Sequence, residues 1–193
     1  MTMRHIVYFS KSAFTTGNFR DLMTAGRMDI VLHVIIASFF ISHDFRKDVK
    51  LHLIFYGMPD PPKHIEIQVT EDLEISKKDL GSLIKKILYK YKEGERREVS
   101  PGCFIEKKSF LKVVEELHNQ GNEIFILDKK GKDIRTMNIT KDNVFILGDQ
   151  DGFPQKEIRR LKKIANLVSI GPKTYFASHT VAVLNNELDR RNV

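Results

Sequence analysis

The chain has no tryptophan and only one cysteine among its 193 residues. One thiol excludes an internal disulfide and any zinc site built from several cysteines. Long hydrophobic runs are scarce as well. The longest nearly unbroken one, residues 30–41, contains His33 and Ser38 and is too short to span a bilayer. Arg4 and His5 lead directly into a short strand-like run with no charged-then-apolar leader, so the expectation is a cytoplasmic protein without a membrane partner. Also missing are GxxxxGK[ST], a GxGxxG after a strand, and a Gly-x-Ser-x-Gly elbow. Triphosphate, dinucleotide and serine-hydrolase chemistry therefore have no motif to rest on.

What is present is ordinary for a globular protein. A 41% hydrophobic and 30% charged content, over this length, predicts one domain, residues 1–193, with a real core. The net charge of +7 and pI of about 9.4 suit a polyanionic partner. The lone Cys103 follows Pro101-Gly102 in a loop or irregular strand, and it reads as an inert thiol because nothing near it would lower its pKa.

The hydrophobic periods predict an α/β domain with a mostly parallel sheet flanked by helices. A strand covers 5–10 and a buried helix 28–41. A charged turn, 42–48, precedes an alternating strand that ends at Gly57. Residues 59–62, Pro-Asp-Pro-Pro, mark a loop, and 65–69 an edge strand. Apolar residues at 80, 83, 84, 87, 88 and 91 give an amphipathic helix with Lys85, Lys86, Lys90 and Lys92 on its other face. A hydrophilic connection, 93–98, and a second amphipathic helix, 109–118, follow. Three strand-loop units close the chain, at 124–131, where the apolar run is expected to stop at Asp128, at 145–153 and at 168–180, the last two followed by helices. Pro154 opens the first of those helices, and Thr174 or Ser178 is expected to cap the other.

In an open α/β sheet, ligands sit at the carboxyl ends of the strands, so these loops predict a pocket built largely of backbone. Gly148 of Gly-Asp-Gln-Asp-Gly (148–152) is either part of a plain turn or a place where backbone meets ligand. A calcium loop is not expected, because Arg160 stands where the closing glutamate would be. His179 reads equally as a structural helix-start residue and as an acid–base group. Asp79, alone, is most simply a first-turn residue that complements a helix dipole. Arg27 beside Gly26, and the Arg46-Lys47 pair, are either surface ion pairs with Asp29, Asp44 and Asp48 or grips for phosphate.

Four segments carry a resemblance: Phe-Ile-Leu-Gly-Asp-x-Asp-Gly-Phe (145–153), Val-Ser-Ile-Gly-Pro (168–172), Tyr-Phe-Ala-Ser-His (175–179) and Asn-Asn-Glu-Leu-Asp-Arg (185–190). With residues 21–29 and 42–48, they resemble the archaeal tRNA pseudouridine-54 N1-methyltransferases, of the SPOUT class, over nearly the whole chain. The resemblance implies a deep trefoil knot in the carboxyl third, about 124–193, S-adenosylmethionine as cofactor, no metal, a homodimer, and tRNA as partner. It places the cofactor against Leu127, Gly148, Ser169, Ile170, Gly171, Pro172, Phe176, Ala177, Ser178, His179 and Thr180. Arg27, Asp29, Arg46, Lys47 and Asp48 would face RNA, and Asp79 would assist catalysis. The family's Pro-Asp-Glu-Arg-like pattern reads Lys77-Lys78-Asp79-Leu80 here, and some members carry cysteine where this chain has Thr180. Two other functions fit the same segments: pseudouridine N1-methylation of small-subunit rRNA, and a non-catalytic RNA-binding assembly factor.

Overall fold

A computed structural model describes residues 3–73, 75–139 and 142–193. One eight-stranded sheet organises the chain. Its strands are β1 (Arg4–Ser10), β4 (Val49–Phe55), β5 (Lys63–Gln68), β6 (Arg97–Ser100), β7 (Cys103–Glu106), β8 (Glu123–Asp133), β9 (Asn143–Gly148) and β10 (Ala165–Ser169). The order is β10-β8-β9-β1-β4-β5-β7-β6. The five strands from β10 to β4 run parallel, and β5, β7 and β6 extend the sheet antiparallel. The expected mostly parallel α/β sheet is therefore present, with an antiparallel wing.

Helix α1 (Met28–Phe39) and helix α2 (Leu80–Tyr89) cover one face of the sheet. Helices α3 (Phe110–Asn119) and α4 (Gln155–Leu161) cover the other, where Phe9, Phe110 and Phe153 pack ring against ring. Helix α5 (Ala177–Arg191) seals the end of the first face with Leu184 and Leu188, and its Val181 joins the α1 side. The strands β1, β4 and β9 are buried nearly throughout, which is why they read as continuous apolar runs.

The sequence expectations hold for the helices, except that α1 ends at Phe39 rather than at 41, and they fail at four strands, β7 being one that was not expected as a regular strand. Residues 65–69 are no edge: β5 lies between β4 and β7. The edge is β6, which begins inside the segment taken as a hydrophilic connection. Its polar, largely exposed residues carry no strand-like apolar alternation. The run starting at Ile124 does not stop at Asp128. It pairs with β10 through Ile126, leaves the ladder, and pairs again at Lys132 and Asp133 opposite Val168 and Ser169. Cys103 is an ordinary β7 residue, fully buried, and burial pushes its thiol pKa up to about 12.

The 42–48 turn is a short hairpin of β2 (Phe40–Ile41) and β3 (Asp44–Phe45). Two further residues act as clasps. Glu157 accepts from the Tyr56 hydroxyl at 2.8 Å and from Leu111 N at 2.7 Å, which ties the start of α4 to the start of α3. Asp189 near the end of α5 accepts from Arg4 at 2.7 Å and, with both oxygens, from Arg46 at 2.6 and 2.7 Å.

Candidate active site

The carboxyl ends of β8, β9 and β10 open into a cleft of about 270 Å³. Residues 127–131, which leave the β8 ladder, form one wall. The turn after β10 and the first turn of α5 form another. Gly131 makes this arrangement possible: a Cβ there would lie 2.5 Å from Val168 N and 2.6 Å from the carbonyl carbons of Leu167 and Val168. Only a residue without a side chain lets the two backbones approach that closely.

Leu127, Leu147, Ile170 and Ala177 give the cleft an apolar surface, and Gly148, Ser169, Gly171 and Thr180 line it as well. Ser169 Oγ donates to Gly171 O at 2.9 Å and accepts from Gly171 N at 3.2 Å, which fixes the loop. Gly171 has φ +155°, a conformation that favours glycine, and a Cβ there would meet the Tyr175 ring hydroxyl at 3.3 Å. The 148–152 loop is held by Asp149, which accepts from Ser10 Oγ at 2.9 Å, Lys11 N at 2.8 Å and Asp151 N at 3.0 Å.

Of the residues expected at the cofactor, Leu127, Gly148, Ser169, Ile170, Gly171, Ala177 and Thr180 come together here. Pro172, Phe176, Ser178 and His179 do not line the cleft. Phe176 is 77% exposed, with its ring edge-on to His179 at 5.6 Å. Neither Thr174 nor Ser178 caps α5: Phe176 holds the capping position with no side-chain hydrogen bond. The uncapped amides of that first turn lie beside Ala177 and Thr180, at the cleft.

Sequence reasoning missed Asp128, Lys129, Leu147, Lys173, Thr174 and Tyr175, which also line it. The signal for the first two was their position immediately after the apolar run of β8. Gly148 has a second neighbour besides the cleft. Its missing Cβ would point at the Phe153 ring, 3.3 Å away, so its lack of a side chain serves packing there as well as the cleft.

The five residues expected to face RNA fall into two groups. Arg27, with a left-handed backbone at φ 61°, forms a two-pronged pair with Asp29 at 3.0 and 2.9 Å. The neighbouring Gly26 packs on Ser12, just beyond β1, so this pair lies at the cleft end of the sheet. Arg46, Lys47 and Asp48 lie where β1 begins, since Asp48 O accepts from Arg4 N at 2.8 Å. A seven-residue strand, about 20 Å long, separates the groups. Arg46 pairs with Asp189 rather than with its sequence neighbours, while Lys47 reaches Glu71 at 3.6 Å.

Asp79 is exposed, caps nothing, and accepts from Ser76 Oγ. Lys77 lies over the Phe40 ring, at the β1-start end of the sheet, whereas Tyr89 at the other end of α2 meets Gly17 beyond the β1 carboxyl end. Asp79 is not among the residues that line the cleft.

A family of proteins described as "SAM-dependent RNA methyltransferase" matches residues 3–193. The chain belongs to this family. It is 37% identical to a tRNA (pseudouridine(54)-N(1))-methyltransferase of Methanococcoides burtonii, over 97% of this chain and 96% of that one. A protein of the same name from Pyrococcus abyssi is 32% identical, over 99% and 100%. Among solved structures, Archaeoglobus fulgidus Nep1 bound to S-adenosylhomocysteine superposes with a TM-score of 0.63 at 14% identity, covering 100% of this chain and 99% of that one, so the fold is shared.

For a SAM-dependent RNA methyltransferase the cleft is chemically apt. Its apolar residues suit a purine face, and the Ser169–Gly171 backbone suits a purine edge. The Asp128 carboxylate suits ribose hydroxyls or a cationic group, and the uncapped α5 amides with Lys173 suit a carboxylate. S-adenosylmethionine, when bound, supplies an electrophilic methyl group on a sulfonium.

Proposed function

We propose that this chain methylates N1 of pseudouridine 54 in the T-loop of tRNA, using S-adenosylmethionine held in the strand-end cleft. The observation that carries this is the convergence of seven expected residues on one cleft, in a chain 37% identical to an enzyme of that name. Pseudouridine joins its sugar through carbon, which leaves N1–H free. The enzyme has to hold that nitrogen in line with the methyl group and accept the proton it loses. The cleft residues bind and orient the cofactor. Gly171 and Gly131 shape the cleft by leaving room for backbone.

The proposal extends to one domain over residues 1–193 and to a cytoplasmic enzyme acting as a homodimer. The α5 stripe of Val181, Leu184 and Leu188 is buried inside the protomer, so a two-fold contact on this helix has to use its other face, with Val183 exposed. Asp79 accepts the N1 proton only if the partner copy brings it to the cleft. A carboxyl-terminal knot is part of the same proposal. In its support, Arg191 at the end of α5 donates to the carbonyls of Met137 and Ile134 at 2.9 and 2.8 Å, so the helix ends beneath the segment joining β8 to β9.

The test is mass spectrometry of tRNA and small-subunit rRNA, each carrying pseudouridine, after incubation with S-adenosylmethionine. Methyl is expected at position 54 of tRNA. Methyl on rRNA alone, or on neither, defeats the proposal. In sedimentation at micromolar concentration, the same preparation should run at twice the 22.4 kDa chain mass.

Arg27 is the expected phosphate contact nearest the cleft. Replacing it with Ala should weaken tRNA binding by about 1–3 kcal/mol and make its salt dependence shallower by about one unit. Cofactor affinity should not change. If Arg27 serves only its exposed pair with Asp29, the salt slope stays put and stability changes little.

A further inference from the structure

Away from the cleft, a line of buried polar side chains crosses the sheet. His5 Nδ1 lies 3.0 Å from His52 Nε2, His52 Nδ1 lies 2.9 Å from His64 Nε2, and His64 Nδ1 lies 2.9 Å from Glu106 Oε1. The register places them: His52 on β4 stands opposite Glu66 on β5, with His64 two residues earlier on the same face. Each histidine is at most 9% exposed. Three imidazoles in a core are costly unless every ring nitrogen has a use.

Glu106 decides the first tautomer. A carboxylate only accepts, so His64 holds its proton on Nδ1 and turns a lone pair, on Nε2, toward His52. Glu66 turns one oxygen the same way: Oε2 lies 4.0 Å from His52 Nδ1, while Oε1 is held by Lys50 at 3.4 Å and Arg96 at 3.3 Å. Among the described residues, His52, His64 and Glu66 are a group whose three ligand atoms all lie within 4.8 Å of one another. A second cleft, also about 270 Å³, opens onto them beside Val113 and Leu117 of α3.

We propose that His52 Nδ1, His64 Nε2 and Glu66 Oε2 bind a divalent first-row metal ion, zinc foremost. Two imidazoles and a carboxylate are a zinc-type donor set, with a fourth position left for water from the cleft. Tetrahedral zinc holds neighbouring donors about 3.3 Å apart, so the 2.9 Å nitrogen pair opens slightly and Glu66 closes in. The surrounding groups fit a metal site. The other nitrogen of His64 donates to Glu106, which Lys108 holds at 2.9 Å, and the other nitrogen of His52 faces His5. The protons balance. His52 moves its proton from Nδ1 to Nε2 and donates it to His5 Nδ1, and His5 carries its own on Nε2. The ion takes the place of the single proton shared by His52 and His64. It would fasten β4 to β5, where the parallel sheet meets its antiparallel wing, and it would not enter methyl transfer.

The test uses the full chain stripped with a chelator, then titrated with zinc by calorimetry and with cobalt by visible absorption. One site per chain is expected, with the absorption bands of a four-coordinate cobalt ion and a melting temperature that rises with free metal. Glu106→Gln should weaken zinc by about 10–100-fold, as loss of an orienting partner does. Glu66→Gln, which keeps the side chain's shape, should weaken it at least as much. Circular dichroism shows whether each variant is folded. A folded wild type that takes up neither ion would show that a shared proton, not a metal, joins the histidines. Folded Glu66→Gln and His64→Gln proteins that bind zinc as the wild type does would place the ion elsewhere. Either result overturns the proposal.

Discussion

Alanine at Gly131 is expected to lower affinity for S-adenosylhomocysteine about 100-fold, equivalent to ~2.7 kcal/mol, with the chain still folded. The new Cβ would sit 2.5 Å from Val168 N and 2.6 Å from two backbone carbons, and backbone cannot rotate aside as a side chain can. Either β10 moves or residues 127–131 move, and both carry walls of the cleft. Gly171→Val should act in the same direction by a different route, through a left-handed backbone and a crowded Tyr175 ring. Gly94→Ala is the control. Its φ is also positive, but a Cβ there meets nothing within 4 Å, so it should cost about 1 kcal/mol of stability and leave binding unchanged. Calorimetry on the three variants is decisive: unchanged affinity in Gly131→Ala removes the 127–131 excursion from the site.

Gly131 also shows why the sequence is legible in some places and not in others. Hydrophobic periods report which face of an element is buried, and they located α1 to α5 and most of the buried strands, though not β7. They say nothing of backbone meeting backbone. The β8 run was expected to stop at Asp128 because a strand leaving its ladder and returning looks, in sequence, like a strand that has ended. The edge strand β6 was missed for a related reason, since Val99 is its single apolar residue and one residue shows no alternation. At the cleft, the glycine- and serine-rich loops were readable because their composition follows from close backbone approach. Lys173 and Tyr175 were not, because their place depends on how the turn after β10 folds back. Local charge patterns misled most. Asp44 and Asp48 stand beside Arg46 in the sequence, yet its partner is 143 residues away.

That long-range partner is the basis for a stability test. Asp189→Asn is expected to destabilise the protein by about 2 kcal/mol, a fall in melting temperature of about 4–8 °C for a chain of this size. Arg4 and Arg46 have side chains only 8% and 16% exposed, and both direct their guanidinium groups at this carboxylate. An amide leaves Arg46 without this counter-charge and Arg4 with only the Asp48 side chain, 3.3 Å away, both arginines being poorly hydrated. The expectation is below the 3–5 kcal/mol typical of a broken buried pair because Asp189 is itself 38% exposed and solvent screens it. The pH dependence identifies the cause. Burial alone would raise the Asp189 pKa, but the hydrogen bonds from Arg46 and Arg4 outweigh it and hold the group below its ordinary value. A carboxyl with a depressed folded pKa contributes its stability above the unfolded value, about 3.9, and loses it as pH falls through the folded one. The gap between wild type and Asp189→Asn should therefore be full at neutral pH and close below about pH 4. A gap that persists in acid would mean that Asp189 holds the end of α5 by shape alone, and that the charges of Arg4 and Arg46 are free for another partner.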